Sequence, residues 1–189
     1  PLIAKEIGPG DAVITTSFSY IATAEVIDLV GAVPVFVDIY SATFNIAVEK
    51  IEDAIKHAKN KGLKVKAIIP VDLFGLPARY RIINKISKKY DLFVIEDAAQ
   101  SFGSSIKENK AGSFGHVAAT SFFPAKPLGC YGDGGAIFTD DDELAQKMIS
   151  IRSHGSGTDK YDNITKGING RLDTIQAAVL LEKLVIFEN

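Results

Sequence analysis

The sequence has only one cysteine, Cys130, among its 189 residues, and it has no tryptophan. A disulfide needs two cysteines and a cysteine-rich metal cluster needs several, so both are excluded within this chain. A lone thiol favours a reducing compartment, and we therefore expect a cytoplasmic protein. We expect the thiol itself to be an inert, packed side chain.

The sequence also lacks an excess of charge of either sign and any long hydrophobic run. Its 21 basic and 23 acidic residues give a net charge of -2. The basic residues are spread along the chain, so no surface for nucleic acid is indicated. Apolar runs such as 33–37 and 67–70 are much shorter than the ~20 residues of a membrane-spanning helix. We therefore expect neither nucleic acid nor a membrane as a partner.

What the sequence does contain is an alternation of short β-branched runs with longer stretches of helical period. This alternation is typical of βαβ units, and it predicts an α/β fold with a mostly parallel sheet in one domain. The predicted strands are 12–16, 33–38, 65–72, 92–97, 117–122 and 135–139. The predicted helices are 21–30, 48–60, 79–90, 141–154 and 171–187.

Four consecutive acidic residues, 140–143, precede the fourth predicted helix. Carboxylates at a helix start cap exposed N–H groups and interact favourably with the helix dipole. Adjacent carboxylates can also bind a metal ion, but that use is rarer. We therefore expect a helix cap here and no metal site.

Two acidic residues end the apolar strand in the segment 94–100, and small residues follow them. The carboxyl ends of parallel strands are where α/β folds place ligands. Asp97 could there face a cofactor, with Ala98 and Ala99 leaving room for a flat ring. On this segment alone, an aspartate that caps the next turn is the favoured alternative.

Lys126 lies in a turn with a proline two residues before it and another directly after it. Pro124 and Pro127 restrict the backbone, and apolar surroundings favour the neutral, nucleophilic form of a poorly solvated amine. On this segment alone, a surface lysine is the commoner case. The glycines of 129–135 are spaced unlike a phosphate-binding loop, and they predict a tight turn before the last strand.

Together, a strand-end aspartate, a constrained lysine and neighbouring hydroxyls fit the needs of pyridoxal phosphate. The lysine amine can bind the aldehyde of that cofactor as a Schiff base. The carboxylate can keep the pyridine nitrogen protonated, so that the ring withdraws electrons from the substrate.

Several spaced motifs occur in order along nearly the whole chain. They are Gly8-Pro9-Gly10-Asp11, Glu96-Asp97-Ala98-Ala99-Gln100, Gly112-Ser113-Phe114-Gly115, Ser121-Phe122-Phe123-Pro124 with Lys126, Gly132-Asp133-Gly134-Gly135, and Asn169 with Arg171-Leu172-Asp173. With these motifs the sequence resembles the DegT/DnrJ/EryC1/StrS sugar aminotransferases. The resemblance implies a three-layer α/β/α sandwich, the large domain of the aspartate-aminotransferase-like (fold type I) enzymes that use pyridoxal phosphate.

The resemblance also implies a role for individual residues. Lys126 would be the catalytic residue that carries the cofactor and moves a proton between substrate and cofactor. The cofactor-binding residues would be Asp97 at the ring nitrogen, Gln100 at the ring hydroxyl, Ser121 at the phosphate, Tyr20 stacked on the ring, and Asn169 at the phosphate of the neighbouring subunit in a homodimer. Judged from the residues alone, Tyr20 could be a packing aromatic, and Ser121 and Asn169 could be ordinary polar groups.

The reaction that the resemblance implies is transamination of a nucleotide-linked keto sugar, with glutamate as the amino donor. The runs 120–139 and 171–174 are most similar to enzymes that aminate C3 of a UDP-linked 2-acetamido-3-keto-hexuronic acid for bacterial surface polysaccharides. The alternatives are a catalytically silent cofactor-binding homologue with a regulatory or structural role, a dehydratase of the same family, and a nucleotide-binding domain. Lys126 disfavours the dehydratases, which have histidine there, and the spacing of the glycines disfavours the nucleotide-binding domain.

Both ends of the sequence resemble interrupted elements. Residues 1–7 lead into a Gly-Pro turn as a helix end does, and no helix-ending signal precedes residue 189. We therefore expect residues 1–189 to be a cofactor-binding large domain, a fragment that lacks an N-terminal segment and a C-terminal small domain.

Overall fold

The structure is a computed structural model, and it describes residues 1–159 and 161–187. The strands are β1 (Asp11–Thr16), β2 (Val33–Val37), β3 (Lys64–Ile69), β4 (Phe93–Asp97), β5 (Ser105–Ile106), β6 (Asn109–Lys110), β7 (Val117–Ser121) and β8 (Gly135–Phe138). The helices are α1 (Ala22–Leu29), α2 (Ile51–Asn60), α3 (Tyr80–Tyr90), α4 (Asp142–Arg152) and α5 (Thr174–Val185). No helix among the described residues is long and apolar enough to cross a bilayer.

The main sheet has six strands in the order β2-β1-β3-β4-β7-β8. The first five are parallel, and β8 pairs antiparallel with β7. Alternate side chains of β1 enter different cores, because neighbouring residues of a strand point to opposite faces. Ala12 and Ile14 pack in the core that includes α2 and α3, whereas Val13 packs in the core that includes α1 and α4. The predicted three-layer α/β/α sandwich with a mostly parallel sheet is confirmed.

The predicted elements are all present, with ends that differ by a few residues. β3 was expected to run to residue 72 but ends at Ile69, since Pro70 has no N–H to donate to a sheet ladder. Residues 48–50 form a separate 3-10 turn before α2. Asp141 caps α4, because its carboxylate accepts a hydrogen bond from the Leu144 N–H at 2.9 Å, as predicted for the acidic run.

A short hairpin, β5–β6, was not predicted. Each of its strands has two residues, which is too short for a visible alternation of apolar and polar side chains. Its turn places Lys107 at a positive φ of 57°, a conformation that the sequence does not announce with a glycine.

Candidate active site

The carboxyl ends of β1, β4 and β7 form the edge of the sheet at which most of the predicted site residues meet. Asp97 is the last residue of β4 and pairs with Ala119 of β7, two residues before Ser121. Tyr20 lies between the end of β1 and the start of α1. The parallel arrangement therefore brings residues that are 24 to 101 positions apart to one edge, as α/β folds do for ligands.

The carboxylate of Asp97 is held on both oxygens. Thr23 donates its hydroxyl to Oδ2 at 2.8 Å, and the Ala99 N–H donates to Oδ1 at 3.2 Å. Burial raises the pKa of Asp97 because it penalises the charged form, whereas the two hydrogen bonds and the positive charge of Lys126 oppose that rise. Asp97 thus caps the following turn, which was the structural alternative, and it also presents a carboxylate within the electrostatic reach of Lys126.

Gln100 is oriented by a main-chain donor. The Phe74 N–H donates to Oε1 of Gln100 at 2.6 Å. Since an amide has its oxygen on one side and its NH₂ on the other, Nε2 is left to donate to a ligand. Phe74 reaches this position with a positive φ of 55°, and its exposed ring packs edge-on against Phe44.

Lys126 lies half-buried in the turn between β7 and β8. The backbone N–H of Lys126 donates to the Phe123 carbonyl at 2.8 Å, and this hydrogen bond closes the turn around Pro124. A Cβ on Gly129 would lie 2.4 Å from the Pro124 carbonyl oxygen, so this glycine is required for the close return of the chain. Cys130 is fully buried behind the turn, and its Sγ donates to the Phe122 carbonyl, in agreement with the inert role expected for it.

The remaining three predicted residues are Ser121, Tyr20 and Asn169, and they differ in their exposure and in their hydrogen bonds. Ser121 is half-buried, and its Oγ accepts the Phe123 N–H at 3.2 Å. Tyr20 is 73% exposed as a residue, so its side chain is open to a ligand. Asn169 lies on the loop before α5, where its Oδ1 accepts from Nε of Arg171 at 3.0 Å. No hydrogen bond among the described residues joins Asn169 to the other five, and its predicted role concerns a neighbouring subunit.

A buried pair of carboxyl groups anchors the strand that ends in Asp97. Glu96 is fully buried and accepts N–H groups of the loop 112–115, including that of Phe114 at 2.7 Å. Asp72, also fully buried, hydrogen-bonds to Glu96, to the Tyr80 hydroxyl at 2.7 Å and to the Ser101 hydroxyl at 3.0 Å. Burial penalises the charged form of Asp72, and the neighbouring Glu96 carboxylate adds repulsion. Together these effects raise the pKa of Asp72 to about 7.

When the carboxyl pair holds one proton, that proton lies on Asp72. Asp72 accepts one backbone N–H, that of Ala78 at 2.9 Å, and its two hydroxyl partners can rotate to accept a proton. Three backbone N–H groups donate to Glu96, and because they can only donate, they favour the charged form of Glu96. The pair fastens the loop that carries Phe74 and the loop 112–115 to β4. It consequently fixes the strand end on which Asp97 and Gln100 depend.

Because of the carboxyl pair, we expect the free energy of unfolding to fall as the pH rises. Its contribution to the free energy of unfolding is fully present below the ordinary pKa of Asp72, 3.8, and is lost as the pH rises through about 7, because only the folded state keeps the proton. Asp72→Asn mimics the protonated form and is expected to flatten this decline in denaturant titrations between these two pH values.

Glu96→Gln is the contrasting variant for the same pair. Its NH₂ group would face the backbone N–H donors, and we expect it to cost about 3 kcal/mol of unfolding free energy. If the pH dependence of Asp72→Asn equalled that of the unmodified protein, the shared proton would not reside on Asp72.

Three residues of this edge were not predicted as site residues from the sequence, namely Thr23, Asp72 and Phe74. Asp72 is the last residue of a predicted strand, and nothing in the sequence indicates the left-handed backbone of Phe74. Thr23 has a weak signal, since it follows Tyr20 by three residues, a spacing that one hydrogen-bonded turn spans.

Comparisons with known proteins agree with this fold and identify a family. The family model described as the DegT/DnrJ/EryC1/StrS aminotransferase family matches residues 1–189. The chain is 54% identical over 186 residues to a UDP-2-acetamido-2-deoxy-3-oxo-D-glucuronate aminotransferase of Pseudomonas aeruginosa, which covers 98% of this chain and 50% of the relative.

Two crystal structures show the same architecture. A DegT DnrJ EryC1 StrS aminotransferase from Brucella abortus superimposes with a TM-score of 0.98 at 59% identity, over 100% of this chain and 51% of the other. NtdA from Bacillus subtilis, solved with bound cofactor PMP, has a TM-score of 0.88 at 38% identity, over 97% of this chain and 40% of the other. The chain thus spans about half the length of these proteins. On its motifs, its fold and the match along its full sequence, the chain belongs to the DegT/DnrJ/EryC1/StrS aminotransferase family.

Proposed function

We propose that this chain is the cofactor-binding part of a pyridoxal-phosphate-dependent aminotransferase that acts on a nucleotide-linked keto sugar. The observation that carries the proposal is the half-buried carboxylate of Asp97 at the carboxyl edge of the sheet, which lies close enough to Lys126 for the positive charge of that lysine to lower its pKa. A catalytically silent homologue would not need an amine at this place.

The donor set fits the cofactor group by group. A pyridine nitrogen needs an anionic partner, which Asp97 offers, and a ring hydroxyl needs a donor, which Nε2 of Gln100 offers. The hydroxyl of Ser121 can donate to a phosphate, the exposed ring of Tyr20 can stack, and Nζ of Lys126 can bind an aldehyde. PMP, bound in NtdA, is the pyridoxamine form of the same cofactor.

When bound, the cofactor supplies an electron-withdrawing ring that stabilises negative charge on the substrate carbon. The carboxylate of Asp97 would hold a proton on the ring nitrogen, and its partial burial would strengthen this interaction. Nζ of Lys126 removes a proton from the substrate carbon and returns one, as a positioned base does. The proline-flanked turn and Gly129 limit how far that amine can move.

The substrate is proposed from the relatives. The Pseudomonas aeruginosa relative is named for a UDP-linked 3-oxo-glucuronate, which supports amination at C3 of a UDP-linked 2-acetamido-3-keto-hexuronic acid. Glutamate is the proposed donor, and Asn169 of a second copy is proposed to reach the phosphate in a homodimer. Since the relatives are about twice as long, we propose residues 1–189 as the large domain of a longer, cytoplasmic protein.

The test is a transamination assay on the whole protein with pyridoxal phosphate, glutamate and the UDP-linked 3-keto sugar acid. We expect release of 2-oxoglutarate together with the 3-amino sugar. The C4-keto isomer serves as the matched substrate control for the position of amination. Cofactor binding without turnover of any nucleotide-linked keto sugar would favour the silent homologue instead.

A further inference from the structure

The hydroxyl of Thr23 lies in direct contact with the Asp97 carboxylate. Thr23 is the second residue of α1, is only 6% exposed, and donates to Oδ2 at 2.8 Å. The Ala99 N–H contacts the other oxygen at 3.2 Å. Because each oxygen has its own donor, the plane of the carboxylate is fixed, and hydrogen bonds to a charged acceptor are the stronger kind.

A second hydroxyl, that of Ser19, lies within hydrogen-bond distance of the Thr23 hydroxyl. Ser19 Oγ lies 3.1 Å from Thr23 Oγ1. A hydroxyl has one proton to donate, and that of Thr23 is used on Asp97, so Ser19 must donate to Thr23. The direction of this chain, from Ser19 through Thr23 to Asp97, is fixed as long as Asp97 is charged.

A hydrogen-bonded turn at the start of α1 links Thr23 to the exposed aromatic residue. The Thr23 N–H donates to the Tyr20 carbonyl at 3.2 Å, so Thr23 and Tyr20 belong to one hydrogen-bonded turn. We propose that Thr23 is a positioning residue that holds the Asp97 carboxylate, and with it Tyr20, in the arrangement that a pyridine ring requires. This inference rests on the proposed function and adds a residue to its site.

Three variants of the whole protein test this role by their dissociation constants for pyridoxal phosphate. Thr23→Val keeps the shape but removes the donor, and we expect binding to weaken about tenfold or more. Thr23→Ser restores the donor and is expected to bind within about threefold of the unmodified protein. Thr15→Val is the matched control, since Thr15 is also buried but its hydroxyl donates to the Ile69 carbonyl at 2.9 Å.

Thr15→Val is expected to lower stability while leaving the dissociation constant within about twofold, because it does not touch Asp97. If Thr23→Val bound as tightly as Thr15→Val, or if Thr23→Ser bound as weakly as Thr23→Val, the positioning role would be refuted. Absence of binding to the unmodified protein would overturn the proposed function instead.

A titration of the cofactor-free protein separates the two proposals. Removing the Thr23 donor is expected to raise the pKa of Asp97 further, because this hydrogen bond is one of the contacts that lower it. The other ionisable groups that act on or respond to Asp97 are Lys126, whose charge lowers its pKa, and Tyr80 of α3. Carboxyl ¹³C NMR measures this shift, and an unchanged titration in Thr23→Val would contradict the inference whether or not the cofactor binds.

Discussion

Replacing Lys126 by alanine is expected to lower the transamination rate of the whole protein by about 10⁴-fold. The reason is that its amine is proposed both to bind the cofactor and to move the proton, and Lys126 is the lysine whose charge lowers the pKa of Asp97. Folding should be preserved, because the turn is closed by the backbone N–H of Lys126 and by its prolines rather than by the side chain. Steady-state kinetics and a thermal unfolding curve measure the two properties.

Two further variants show whether the chemistry or merely the charge of Lys126 matters. Lys126→Arg keeps a positive charge near Asp97 but cannot give up its proton, so we expect it to be as inactive as the alanine variant. Lys85→Ala removes an exposed lysine of α3 and should leave the rate within about twofold. Substantial activity in Lys126→Arg would assign Lys126 an electrostatic role only.

Replacing Asp97 by asparagine is expected to lower the rate by about 10³-fold without lowering stability. The catalytic loss follows from removing the anion that holds a proton on the ring nitrogen, an electrostatic contribution of the size known for preorganised sites. Stability should be equal or higher at neutral pH, because burial of the charged carboxylate is unfavourable, as its raised pKa shows. The rate constant and the denaturant midpoint check the two halves of this expectation.

Asp53→Asn is the matched control, since the Asp53 side chain on α2 is 81% exposed and forms a surface ion pair with Lys56. It should change neither rate nor stability by more than about twofold or 0.5 kcal/mol. An Asp97→Asn enzyme that kept more than about a tenth of the activity would mean that Asp97 is a structural cap alone.

The sequence allowed prediction of features that depend on local pattern. The alternation of strands and helices predicted the layers and the parallel sheet, because both follow from short-range periodicity. The capping role of Asp141 followed from residue type and position in the same way. Asp97 was found because it ends an apolar strand, and such ends meet at one edge in this fold class.

Features that depend on contacts between distant segments were not predictable. The pairing of Asp72 with Glu96 and the contact of Thr23 with Asp97 join residues 24 and 74 positions apart, and no local pattern announces either. The orientation of Gln100 depends on the main-chain N–H of Phe74, which any residue type would supply. The roles assigned to Ser121, Tyr20 and Asn169 came from the family motifs, and they stay predictions until ligand binding is measured.

The most direct measurement is reduction of the whole protein with borohydride after addition of pyridoxal phosphate, followed by absorbance and peptide mapping. We expect a visible absorbance band that disappears on reduction, with the reduced cofactor attached to the peptide that contains Lys126. Lys126→Ala, treated in parallel, should carry no label. A label on another lysine, or no band at saturating cofactor, would contradict the assignment of Lys126 and with it the proposed aminotransferase site.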